Sequence, residues 1–306
     1  MEGVCYLPVT SITVAAEAQV FGVTLLPIDD PRLPAEHAAS WAKHPYGCVV
    51  GVLVEGTDRK QMAEQAKLIA SHALRILRVA LRAHLDIADS QLRFRLGESY
   101  AFDDRMAGWK RAPDAADDLA LDPTLIELAL AQPAAAMPPE PLTTVDKQAD
   151  LALRWIERAW FAGEPLVALL YLFFALEALL GNKAEGLKAH SLAFRQMMLS
   201  HIVTGEFTHP TRTYLLYDKV RSGAVHGEDA PYVGWDTTRP FAWLVKQTLD
   251  QYLAYAMSQG LMKRGRLLRA LDTHPDRASL VAWLRANGGA DWTAFLDDED
   301  AESQSI

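Results

Sequence analysis

The chain has 306 residues, half of them hydrophobic, with a net charge of −9 and two cysteines. That is enough for two domains with sizeable cores, while Cys5 and Cys48 form no spaced cluster with histidines, so neither a disulfide framework nor a thiolate metal site is suggested. The acidity weighs against a nucleic-acid partner, but it is uneven: the balance is −6 over 1–144, +3 over 145–270 and −6 over 271–306, so only the middle segment is basic.

The first twenty residues lack a basic start followed by an apolar run, so no signal peptide is read and a reducing cytoplasm is the simplest compartment. "VFGVTLLPI" and "GCVVGVLVEG" are rich in β-branched residues and bounded by turn formers, which predicts strands. Between them, "DDPRLPAEHAASWAKHPYG" reads as a loop with a helical turn. Thr57-Asp58 offers an N-cap for an amphipathic helix over Arg59–His84, with Ala66, Ile69, Ala70, Ala73, Leu74, Leu77 and Leu81 at helical spacing. "SQLRFRLGESYAF" alternates as a strand does. Residues 1–131 are therefore expected to form an α+β domain of unknown ligand.

Residues 112–144 are rich in Ala, Pro and acids around one short apolar helix candidate, and 132–144, with its Pro-rich part Gln132 to Pro141, reads as a linker. From Val145 the pattern is helical, with helices expected near 145–162, 165–181, 186–203, 210–226, 238–260 and 276–287. Residues 145–270 are expected to be an all-α bundle, and 271–306 a C-terminal helix with the acidic tail "DDEDAESQSI". The longest apolar run, Leu166 to Leu180, is 15 residues. At about 1.5 Å per residue it is too short to cross a hydrocarbon layer of roughly 30 Å, so no membrane partner is expected.

Glu177 interrupts that run, with Phe173, Phe174 and Leu180 on the same helical face. An ionised carboxylate there costs several kcal/mol unless it is paired, so a cation from another helix is required, and Arg221 is the candidate. Arg221 opens an Arg-x4-His spacing that the chain also contains at Arg32–His37 and Arg269–His274, in loop-like contexts. At about 100° per residue, Arg221 and His226 stand roughly 140° apart, whereas Ser222 and His226 share a face. Tyr214, Tyr217, Asp218 and Arg221 form a neighbouring stripe. The long guanidinium can still sweep towards the histidine near a helix end at Gly227, so that one phosphate meets His226, Ser222 and Arg221. These residue types suit metal-free cleavage of RNA, whose 2′-hydroxyl needs a base, an acid and a cation for the phosphorane charge. One histidine can hardly be both base and acid, but a two-fold dimer would supply a second.

"FFALEALLG", then "LAFRQMML", then "LLYDKVRSGAVHGED" resemble the Apea-like family of HEPN domains, over roughly 145–260. The resemblance implies a helical bundle, a homodimer through the motif helices and a metal-independent endoribonuclease without a cofactor, of the kind found in antiviral and toxin systems. It assigns Arg221 and His226 as the catalytic pair, Ser222 as the polar residue after the arginine, and Glu177 as the acid that positions it. Many ribonuclease members carry Asn, Asp or His where this chain has Ser222, and Glu228 replaces the tyrosine of the nucleotidyl-modified members. Asp218 is a supporting residue, and Lys219, Lys263, Arg264, Arg266 and Arg269 are candidate contacts for tRNA or single-stranded RNA. An unknown regulator would act at the N-terminal domain. The alternative is a non-catalytic dimerisation or sensor module in which the same charges serve only the fold. His190, His201 and His209 read as packing or solvated residues, and Trp155, Trp160, Phe173 and Phe174 as core.

Overall fold

The computed structural model of the chain describes residues 2–82, 91–102, 105–107, 118–182, 189–206, 209–221, 224, 233–290, 292–294 and 296–297. It divides into two compact units, Met1–Glu140 and Pro141–Ile306. The first is a β-sheet region with helices; the second is largely helical.

The first unit contains β1 (Glu2–Thr10), β2 (Ile12–Val14), β3 (Ala18–Val20), β4 (Val23–Pro27), α1 (Ala35–Trp41), β5 (Tyr46–Glu55), α2 (Arg59–Leu81), β6 (Tyr100–Phe102), β7 (Arg105–Ala107), β8 (Leu119–Leu121) and α3 (Pro123–Leu130). Six strands form an antiparallel sheet in the order β3-β4-β5-β1-β6-β7, and β2 pairs separately with β8 in parallel. β1 is central, in register with β5 from Glu2↔Glu55 to Val9↔Cys48. α2 starts at Asp58, whose carboxylate accepts from Lys60 N at 2.9 Å and Gln61 N at 3.0 Å. Its alanine and leucine face, including Ala66, Ala70, Ala73, Leu74 and Leu77, is buried against β5 and β1.

The stretch expected as one strand over "SQLRFRLGESYAF" behaves differently. Its burial alternates, with Leu92 and Phe94 inside and Arg93 and Arg95 outside, but the regular ladder is confined to β6. Gln91–Arg93 is a 3-10 turn, the Phe94 carbonyl is taken by Arg78 Nη1 at 2.8 Å, and Gly97 N donates to Pro8 O at 2.7 Å. Pro8 has no N–H to return, so the segment follows β1 without continuous pairing. Gly97 is required there, since a Cβ would lie 2.7 Å from Tyr46 Oη. Sequence signals singled out neither β1, which holds Pro8, nor the short β2 and β8. In the expected linker, Pro133–Ala136 is a 3-10 turn with Ala134 and Met137 buried.

The second unit contains α4 (Thr144–Trp160), α5 (Pro165–Leu180), α6 (Ala189–Thr204), α7 (Thr211–Leu215) continuing into a π-helical segment (Leu216–Arg221), α8 (Trp235–Ser258), α9 (Arg264–Asp272) and α10 (Arg277–Asn287). α4 opens with a capping box: Asp146 N donates to Thr143 Oγ1 and Thr143 N to Asp146 Oδ2. α5 packs against α4, α6, α8 and the π segment, and Leu169, Leu172, Phe173, Leu176, Leu179 and Leu180 are fully buried. A polar chain fixes where α7 begins: Thr213 Oγ1 donates to Gln196 Oε1 at 2.6 Å, and Gln196 Nε2 to Thr248 Oγ1 at 2.8 Å. The core runs past residue 270, because Leu280, Leu284, Trp292 and Leu296 pack with Phe194, Met197 and Met198 of α6. The acidic tail after Asp297 lies outside the described residues. Among the described residues, no helix is long and apolar enough to cross a membrane.

Cys5 and Cys48 are free and fully buried in β1 and β5. Burial pushes the Cys5 thiol up to about 12, against an opposing pull from Lys67, and raises the Cys48 thiol as well. The reactive thiolate is therefore suppressed at both sites. A colorimetric thiol reagent at pH 8 should find almost no reactive sulfhydryl in the native protein and both after unfolding in denaturant.

Candidate functional site

Glu177 lies in the last turn of α5, one turn after the fully buried Phe173. The structure supplies the cation its setting demands: Arg221 Nη2 stands 3.0 Å from Glu177 Oε1, with the two side chains 17% and 14% exposed. The same carboxylate oxygen accepts from the Tyr217 hydroxyl at 2.7 Å. The Tyr217 ring lies under the guanidinium, with Cζ 5.1 Å from the ring centroid. Phe173 meets that ring edge-on at 5.1 Å and packs against Phe241 at 5.0 Å. Burial first, and the Glu177 carboxylate second, raise the Tyr217 phenol well above its ordinary range, so it stays a proton donor. Arg221 Nε is buried and has no hydrogen-bond partner among the described residues.

Winding explains why the expected stripe is divided. α7 ends at Leu215 and the chain is π-helical from Leu216 to Arg221. Such widened turns are rare and often occur at functional sites. Tyr214, before the change, stacks on His190 at 3.9 Å and reaches Trp292 at 5.9 Å, while Tyr217 and Arg221, after it, meet Glu177. Asp218 and Lys219 stay at the surface as a pair 3.4 Å apart, the kind of exposed contact worth little. Ser222 and His226 lie outside the described residues.

The basic cluster also divides. Lys263, Arg266 and Arg269 are exposed. Arg264, grouped with them in the sequence, turns inward: its Nη2 donates to Glu177 O at 3.0 Å and to Gly181 O. It caps the carbonyl end of α5 rather than joining the surface cations. Burial pulls its guanidinium below the ordinary value. A second arginine acts nearby: Arg195 of α6, 5% exposed, donates to Leu180 O at 3.1 Å and holds Asp272 at 2.9 and 2.7 Å. Arg195 was missed in the sequence, though a charge inside the apolar "LAFRQMML" is the same signal that marks Glu177.

The other Arg-x4-His copies form nothing comparable. Arg32 is held by Asp30 and Glu17 while His37 packs beside Trp41, and His274 faces Asp276. His201 also reaches Asp276, at 3.5 Å, and His209 packs on Trp283. Among the described residues no group of three or more His, Cys, Asp or Glu side chains could hold a metal ion. A cavity of about 610 Å³ lies at the ends of β2 and β8, walled mainly by Val14, Ala16, Ala18, Leu121 and Ile126. Comparison with protein families, curated proteins and solved structures gives no match to the chain.

Removing Arg195 takes from Asp272 and the Leu180 carbonyl the donor that holds them, while Arg264 keeps the Glu177 and Gly181 carbonyls. Arg195→Met should lower the urea-unfolding free energy on the order of 2–3 kcal/mol, less than the ~3–5 of a fully buried pair, because Asp272 is 33% exposed. The exposed Arg269→Gln should stay within about 0.5 kcal/mol of wild type.

Proposed function

We propose that the helical unit is a HEPN-type, metal-independent endoribonuclease of the Apea-like kind, cleaving tRNA or single-stranded RNA. The observation that carries this reading is the held Arg221 guanidinium: one edge is fixed by Glu177 and Tyr217, while its buried Nε has no hydrogen-bond partner among the described residues. A preorganised cation with an unused donor is what a phosphorane in a water-poor site requires. In the proposed reaction His226 removes the 2′-hydroxyl proton. The 2′-oxygen forms a bond to phosphorus, and the bond to the 5′-oxygen breaks, with a proton delivered to that oxygen. The products are a 2′,3′-cyclic phosphate and a 5′-hydroxyl, and no oxidant or metal is needed for the balance. Ser222 orients the phosphate, Glu177 acts only through Arg221, and Lys219, Lys263, Arg266 and Arg269 attract the RNA backbone.

The second histidine comes, in this proposal, from a homodimer. A helix that is apolar all round is normally covered all round. α5 is apolar except for Glu177, yet Val167, Leu170, Tyr171 and Phe174 remain half-buried along one side, with Trp155 of α4 stacked on Tyr171 at 5.4 Å. A second copy would cover that stripe. A cytoplasmic role in phage defence or a related stress response follows from the family resemblance. A regulator acting on the first unit has the cavity beside α3 available to it.

One observation favours the alternative of a non-catalytic dimerisation or sensor module: Arg221 already neutralises Glu177, which stabilises the bundle whether or not RNA binds. Incubating the full chain with tRNA and with a single-stranded RNA in EDTA separates the two. The expected result is cyclic-phosphate products and a loss of about 100-fold or more in His226→Ala, from a species sedimenting at twice the monomer mass. Equal cleavage by wild type and His226→Ala rejects the ribonuclease.

A further inference from the structure

We infer that Tyr217 is a positioning residue for Arg221, and that its hydroxyl sets the orientation of the guanidinium which the proposed ribonuclease presents to phosphate. The inference rests on that reading for its catalytic consequence, but not for its structural content.

Arginine is a long side chain with several rotatable bonds, and a cation used for transition-state contact has to be held to within about half an ångström. A single ion pair leaves the guanidinium free to pivot about the shared oxygen. Here a second restraint meets the same atom: Glu177 Oε1 receives the Tyr217 hydroxyl at 2.7 Å as well as Arg221 Nη2 at 3.0 Å. The hydroxyl fixes the carboxylate, the carboxylate fixes one edge of the guanidinium, and the Tyr217 ring beneath it at 5.1 Å restrains its plane. Tyr217 cannot itself drift, since it is 3% exposed and wedged edge-on against Phe173, which is wedged against Phe241. Rigidity therefore passes from the centre of the bundle to the guanidinium along Phe241, Phe173, Tyr217 and Glu177.

A hydroxyl placed only to satisfy a buried carboxylate would not need its ring under the partner cation. Tyr217 and Arg221 both lie in the π-helical segment, four positions apart, and both meet one carboxylate on another helix. Because the raised phenol keeps its proton, donation to Glu177 persists at every pH at which His226 could titrate. The role is therefore fixed positioning, not proton transfer.

Tyr217→Phe removes the hydroxyl and keeps the ring contacts. In protein labelled with ¹⁵N-arginine, the Arg221 Nε–H resonance, assigned by its loss in Arg221→Lys, should exchange with solvent at least about tenfold faster in Tyr217→Phe than in wild type. The far-ultraviolet circular dichroism should be unchanged. Glu177→Gln, which keeps an acceptor oxygen but drops the charge, should move the signal in the same direction and serves if Tyr217→Phe does not fold. With RNA, kcat should fall about tenfold in Tyr217→Phe while KM stays within twofold, the mark of an interaction made in the transition state. An Arg221 signal unchanged in Tyr217→Phe overturns the inference, as does an unchanged kcat in an active enzyme. If the signal changes but neither protein cuts RNA, Tyr217 still positions Arg221 and only the ribonuclease reading fails.

Discussion

A carboxylate set into an apolar helix has to be answered by a cation, and Glu177 in α5 imposes that demand on the whole second unit. Its answer comes from a helix distant in sequence, so α5 and the π segment are pinned to one another at Arg221. The pairing needs Arg221 and Tyr217 to arrive together on the side facing α5, and the chain achieves this by widening its turn from Leu216 onward. The polar chain of Thr213, Gln196 and Thr248 sets where that segment starts. Charge, winding and packing are thus linked around one side chain.

The same end of α5 makes a second demand. A helix terminus with buried neighbours presents carbonyls that must find donors. Gly181 continues in extended backbone, so α5 is not closed by a left-handed cap. Two arginines take the carbonyls of Glu177, Leu180 and Gly181 instead. Arginine suits this position because its fork can serve two acceptors at once and its charge opposes the negative end of the helix dipole. Arg195 adds a bidentate grip on Asp272, so α6 and α9 are joined through the terminus of α5.

Much of this was legible in the sequence where a residue contradicts its surroundings. Glu177 among leucines and phenylalanines implied a partner, and Asp58 before an alanine-rich period marked the start of α2 within a residue. The unread parts share a different property: their cause lies outside their own segment. Nothing in "YLLYDKVR" announces a change from α to π winding, so Tyr214 and Tyr217 looked like one stripe. Lys263, Arg264, Arg266 and Arg269 look alike, and only the nearby end of α5 selects Arg264 to turn inward. Alternation in "SQLRFRLGESYAF" reported burial correctly, but Pro8 on the neighbouring strand has no N–H to offer, and among the described residues the stretch pairs with β1 only at Val9↔Leu96 and Tyr6↔Ala101. Trp292, which no sequence signal singled out, belongs to the core with α6 and α10.

The sheet order of the first unit has a consequence for its synthesis. β1 is made before both of its neighbours, β5 and β6, yet it occupies the middle of the sheet. The nascent segment carries Cys5, Leu7 and Val9, all fully buried in the finished sheet, on a strand with both edges unpaired. Such an edge is a template for pairing with other chains. β2 waits longer still, for a parallel partner roughly a hundred residues downstream. The first unit therefore cannot be completed strand by strand as it emerges, and its early strands stay without their partners until β5, β6 and β8 have been made.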